Sequence, residues 1–158
     1  MAGWRVAMTP TLSALTRGLV AGAAGTAAMT VAQTVYLKAR GEEPSTTPAE
    51  VGRRVVEGVL QREVPEERMG ALNNVMHWLC GTGWGALFGL AHACRRSAPL
   101  SDGTRLAGLV WGASLVELPA MNLAPPVWKY PPDQPASDLG FHLAYGVGVA
   151  TAHAVLDR

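Results

Sequence analysis

Charged residues fall in clumps along the chain, and four long apolar stretches run between them. They extend from Arg17 to Lys38, Arg68 to Arg95, Arg105 to Lys129 and Asp138 to Asp157, and one formal charge, Glu117, interrupts them. Each is roughly 18 to 26 residues long, enough for a helix to cross about 30 Å of hydrocarbon. A soluble four-helix bundle would need a polar face on every helix, and Gly18–Leu37 carries no charge at all. The pattern therefore predicts an all-α polytopic membrane protein. Four transmembrane helices, at about 17–37, 70–94, 104–124 and 138–156, form two αα-hairpins in a single membrane domain spanning 1–158. The first run is too long for a cleaved signal peptide, so an uncleaved first helix is expected.

The segments between the stretches have their own grammar. In Thr47–Leu60, Thr47 suits an N-cap, Pro48 the first helical position and Glu50 the reciprocal acid of a capping box. Val51, Val55, Val59 and Leu60 then line one side, while Glu50 with Arg54 and Arg53 with Glu57 pair on the other. This predicts a short amphipathic helix over about 48–62. It either lies on the membrane surface or packs on its own protein as a solvated helix. Five prolines in Ala124–Ser137 predict a stiff, extended cap. An even number of spans puts both termini on the side of the Arg95–Arg105 loop, whose three arginines against one aspartate place them in the cytoplasm by the positive-inside rule.

Small residues recur at helical spacing. Gly18 with Gly22, Gly81 with Gly85 and Gly89, and Gly108 with Gly112 form stripes suited to close helix packing. The second and fourth stretches share a histidine followed four and six residues later by glycine: His77, Gly81, Gly83 and His142, Gly146, Gly148. This suggests a duplicated hairpin in parallel orientation.

Composition supports the membrane reading, with 49 % apolar and only 16 % charged residues. The net charge of +1 and the lack of a basic, aromatic-rich patch argue against nucleic acid as a partner. The two cysteines, Cys80 and Cys94, would stand about 21 Å apart on one helix, too far for a disulfide. No CxxC, HExxH, phosphate-loop or dinucleotide motif occurs, and no cofactor is expected.

The remaining polar residues gather toward the Pro-rich end of the expected bundle. Counted from that end, Glu117 would lie about 9 to 12 Å inside, His77 about 10 Å and His142 about one turn. Asn73, Asn74, Asn122 and Tyr145 share that half, and Asp138 stands one turn before His142, where it can orient the imidazole. An acid at such depth costs a few kcal/mol if it meets lipid, so Glu117 is expected to face the interior or find a partner. Pro119 would bend the helix beside it and free the Leu115 carbonyl. A half-buried polar cavity results; if it holds a metal at all, the ligands are His77, Glu117 and His142. His92 and His153, near the other helix ends, read as interfacial anchors.

The string Pro119-x-Met121-x-Leu123-x-Pro125-Pro126-Val127-Trp128, followed by Ser137-Asp138 and His142-Leu143-x-Tyr145, resembles the YagU-like family of small bacterial inner-membrane proteins. The likeness covers mainly Leu106–Gly146, and Glu117 lies outside the matched string. It implies a multi-pass helical protein of the bacterial plasma membrane and carries no catalytic residues with it. The leading functional expectation is a channel- or transporter-like protein with a titratable glutamate, its partners the bilayer and further copies of itself. The alternatives are an accessory or structural subunit of a larger membrane complex, and a membrane enzyme with a His/Glu site. An outward-facing glycine stripe favours the accessory subunit; a polar track through the whole bundle favours transport.

Overall fold

A computed structural model describes residues 10–93 and 98–158. The loop residues Cys94, Arg95 and Arg96 lie outside the described residues, and the expected orientation rests partly on those two arginines. The described chain is helical, with α1 (Pro10–Arg40), α2 (Thr47–Leu60), α3 (Met69–Ala91), α4 (Pro99–Ala120) and α5 (Asp133–Leu156), plus single 3-10 turns at Glu66–Arg68 and Val127–Lys129. No strand is present among the described residues.

Two of these helices, α1 and α5, are long and apolar enough to cross a membrane. At 23 and 22 residues α3 and α4 have the length, but Asn73, Asn74 and His77 dilute one, and Arg105 and Glu117 the other. The charge map thus located four long helices without making all four equally apolar.

Three of the helices also begin earlier than their apolar stretches. α1 is already helical at Pro10, Pro99 opens α4, and α5 starts at Asp133 and runs through Pro135. First-turn N–H groups have no partner inside the helix, so proline costs little there. The extended cap expected over Ala124–Ser137 is shortened accordingly. Charges mark where lipid could end, not where a helix must; α1, with 31 residues, is about 46 Å long and outruns a 30 Å hydrocarbon layer.

Helix ends are set by local backbone chemistry. Gly41 adopts φ +66°, and the bonds Glu42 N–H to Leu37 O (3.0 Å) and Gly41 N–H to Lys38 O (3.4 Å) close α1 as a Schellman motif. Asn122, at φ +54°, does the same for α4: Leu123 N–H bonds Leu118 O at 2.9 Å and Asn122 N–H bonds Pro119 O at 3.0 Å. Pro119 therefore sits in the last turn of α4, and Asn122 is a helix cap.

The four long helices alternate in direction and pack in the order α3, α1, α5, α4. Small residues set the contacts. A Cβ on Gly85 would run into the Cα of Gly22 and lie 2.6 Å from the Gly18 oxygen, and Gly89 abuts Gly18 and Ala14. Across the second hairpin Gly103 meets Gly146 and Val147, and Gly146 meets Ala107. Both hairpins are zipped by small residues, but the second uses Gly103 and Ala107 where the sequence pattern pointed to Gly108 and Gly112. Those two glycines have open space around them.

Core side chains are few: Ala21, Phe88, Leu106, Tyr145, Val149 and Ala150. Much of the remaining apolar surface points outward. Only 28 % of the apolar window of α1 and 33 % of that of α5 is buried.

The linker helix α2 lies against the first half of α3. A Cβ on Gly52 would collide with Met76 and Leu72, and Ala49 is buried beside it. Thr47 is not its N-cap; the helix begins at Thr47, and no side chain caps it from Thr46. Instead Asn73 of α3 accepts the Ala49 N–H at 3.0 Å and donates to Ser45 O at 3.3 Å. One asparagine thus caps α2 and pins it to α3. Arg53 pairs with Glu50 one turn earlier at 2.5 Å, and not with Glu57. Val55, Val59 and Leu60 remain exposed, so α2 both packs on the protein and keeps an apolar edge in the open.

Candidate functional site

At the Pro-rich end, the polar residues are tied to one another across helices. Thr30 donates its hydroxyl proton to Thr26 O at 2.8 Å, so it accepts from His77 Nε2–H at 3.0 Å, joining α1 to α3. The Tyr145 hydroxyl, on a residue 2 % exposed, donates to Gly81 O at 2.6 Å and joins α5 to α3. Trp111 Nε1–H donates to Asp138 Oδ2 at 3.0 Å and joins α4 to α5. His142 Nδ1–H donates to the Asp138 backbone oxygen at 2.8 Å. The tautomer of His142 is thus set by a carbonyl, while the Asp138 carboxylate holds the indole. His77 and His142 lie within electrostatic range of each other.

Other expected cavity residues go elsewhere. Asn73 caps α2, Asn122 caps α4, and Asn74 is exposed. Glu117 is exposed too. It stands three residues from the end of α4, about 5 Å, and not the 9 to 12 Å expected. His142, nine residues into α5, is correspondingly deeper than one turn, at about 13 Å. Early termination of α4 and early initiation of α5 produce both differences. Glu117 remains within electrostatic reach of the Cys80 thiol on α3. Among the described residues no three His, Cys, Asp or Glu side chains group closely enough to hold a metal, so His77, Glu117 and His142 do not form one ligand set.

The cleft lies at the opposite end. Although consecutive in sequence, α3 and α4 make at most grazing contact, and between them opens a space of about 350 Å³. Trp84, Leu87 and Phe88 line it from α3, Leu106 and Leu109 from α4. His92, Asp102 and Arg105 form its polar rim.

The rim is ordered. Asp102 is 7 % exposed and its Oδ2 accepts the Ala98 N–H at 2.7 Å, reaching back over the first turn of α4 as a capping-box acid does. His92 Nδ1–H donates to Phe88 O at 3.0 Å, leaving Nε2 3.7 Å from Asp102 Oδ2. Its ring stacks on Phe88 with centroids 4.0 Å apart, and Phe88 meets the buried His153 edge-on at 5.4 Å. Close by, Arg17 of α1 pairs with Asp157 of α5. His92 and His153, expected as interfacial anchors, are therefore packed into the bundle end. The sequence signal that could have revealed this is Asp102, an acid just inside a Pro-initiated helix with His92 shortly before it.

By its fold the chain is an all-helical protein with two membrane-length apolar helices and a cleft between two others. No known protein family, curated protein or solved structure matches it.

Proposed function

We propose that this is a four-span protein of the bacterial inner membrane that serves as an accessory subunit, docking a neighbouring transmembrane helix on the outward face of α4. The membrane reading is supported by the exposure of α1 and α5: the core helix of a soluble protein would be mostly buried, and these apolar windows are 28 % and 33 % buried. Leu19, Val20, Val31, Val75, Leu79, Leu109, Val116 and Val155 form an apolar exterior drawn from all four long helices. The kinship with YagU-like proteins belongs to the same proposal. Its shared string contains Pro119 in the last turn of α4, the Asp138 that holds Trp111 and the Tyr145 that joins α5 to α3, all of them parts of the architecture.

One observation carries the docking role. The expected packing glycines of α1 and α3 are consumed inside the bundle, while Gly108 and Gly112 on α4 meet nothing. In lipid, where helix association depends on close backbone approach, an unused Gly-xxx-Gly step is a place for another helix. Transport fits less well, because the polar groups of the Pro-rich half spend their hydrogen bonds on one another and the cleft at the other end is walled by apolar side chains.

Native mass spectrometry of protein extracted from its own membranes in mild detergent tests this. A stoichiometric complex with another membrane protein is expected, and Gly108→Leu with Gly112→Leu should release the chain as a folded monomer. A wild-type monomer, or a complex indifferent to both substitutions, rules the docking role out; a homodimer makes a second copy the partner.

A further inference from the structure

We propose that the α3–α4 cleft holds one acyl chain of an anionic phospholipid from the surrounding leaflet, with Arg105 binding its phosphate. The inference rests on the membrane reading above, but not on docking at α4.

Shape and depth select the occupant. The cleft lies at the helix ends, where α3 finishes at Ala91 and α4 starts at Pro99. It descends along α3 as far as Trp84, seven residues or about 10 Å, against the roughly 15 Å half-thickness of a hydrocarbon core. Its polar rim is thus at headgroup level and its apolar walls at acyl level. About 350 Å³ takes the upper part of one acyl chain and is too little for a helix, which is 10–12 Å across with its side chains. Because α3 and α4 part sideways, the second chain of a phospholipid can stay in the bilayer while the first enters.

Charge selects the headgroup. The Asp102 carboxylate is buried, accepts the Ala98 N–H and sits in the first turn of α4, where the helix dipole offsets its charge. Arg105 has a side chain 73 % exposed, and among the described residues its one ionic contact, to Asp102 Oδ1, is 3.7 Å long. That is too long for a hydrogen bond. Among the described residues its guanidinium fork makes no hydrogen bond, and a planar fork of N–H donors at the rim suits phosphate oxygens. The substitution of lysine would keep the charge and lose the fork.

The protein can be reconstituted in nanodiscs, and the fluorescence of Trp84 obtained as the difference between wild type and Trp84→Phe. Brominated-chain phosphatidylglycerol should quench this component at about threefold lower mole fraction than brominated-chain phosphatidylcholine, the scale of one exposed ion pair. Arg105→Gln should remove the difference, weakening quenching by the anionic lipid more than quenching by the zwitterionic one, whose phosphate is offset by its own ammonium group. Equal quenching by the two lipids in wild type, or a preference that survives Arg105→Gln, overturns the proposal. A brominated free fatty acid that outcompetes both lipids also overturns it, by making a soluble amphiphile the occupant. Protein that stays in the aqueous phase and enters no nanodisc refutes the membrane reading, and the two failures are thereby told apart.

Discussion

The two ends of the bundle contain the same residue types and use them in opposite ways. At the Pro-rich end, histidine, aspartate, tyrosine and tryptophan bond from one helix to the next: His77 to Thr30, Tyr145 to Gly81, Trp111 to Asp138. At the other end, His92 and Asp102 make their close hydrogen bonds within their own turns, to Phe88 O and Ala98 N–H. Between them 3.7 Å remains, and a cleft opens beside it. Bonds made between helices close the first end; at the second, Arg17 and Asp157 still tie α1 to α5, while the locally satisfied His92 and Asp102 leave α3 and α4 free to part. The chemistry of a polar residue in such a bundle is decided less by its type or depth than by whether its hydrogen bonds cross a helix interface.

Both arrangements depend on the small-residue zipper, and the largest expected effect comes from breaking it. Gly85→Leu drives a side chain into the backbone of Gly18 and Gly22. It should cost about 3 kcal/mol or more, since backbone cannot yield as a flexible side chain does. Gly112→Leu, placed in open space, should stay within about 0.5 kcal/mol for the isolated chain. Unfolding of the purified monomer in denaturing detergent compares the two, and equal losses would mean that α4 packs as tightly on its outer face as α3 does on α1.

Next in size is the closed end. Tyr145→Phe removes the α5–α3 bond but leaves Gly81 O its own helical partner, so a loss of about 1 kcal/mol is expected. Asp102→Ala exposes the Ala98 N–H at the start of α4, also at about 1 kcal/mol by analogy with lost caps. Their reach distinguishes them. Hydrogen exchange should quicken across α3 and α5 in the tyrosine variant and only in the first turns of α4 in the aspartate variant. If Asp102→Ala loosens α5 as well, the His92–Asp102–His153 end is as cross-braced as its counterpart.

Helix number, the glycine zipper of the first hairpin and the amphipathic linker were legible because each follows from local spacing. Gly18, Gly22, Gly85 and Gly89 are predicted to pack and do. Depth was not legible. It was counted from the Pro-rich ends of the expected spans, whereas α4 stops at a Schellman cap on Asn122 and α5 starts before Ser137. Helix rotation was not legible either. The spacing of small residues pointed to Gly108 and Gly112, but α4 meets α5 through Gly103 and Ala107, five residues earlier. The cleft at His92 and Asp102 escaped notice because it is a gap between helices, and a gap has no residues of its own.

The smallest expected effect concerns Glu117, the one charge within the apolar stretches. Its position a single turn from the end of α4, exposed and without a hydrogen bond or ion pair among the described residues, places it outside the network that closes the Pro-rich end. Glu117→Gln keeps size and removes charge, so the isolated chain should change by less than about 0.5 kcal/mol. If the acid instead belongs to an interhelical network in the bilayer, it should behave like Tyr145, and its loss should approach about 1 kcal/mol. The decisive comparison is the Glu117→Gln, Tyr145→Phe double variant in lipid. Additive costs put the acid outside the network, as its exposure indicates, and coupling beyond about 0.5 kcal/mol puts it inside.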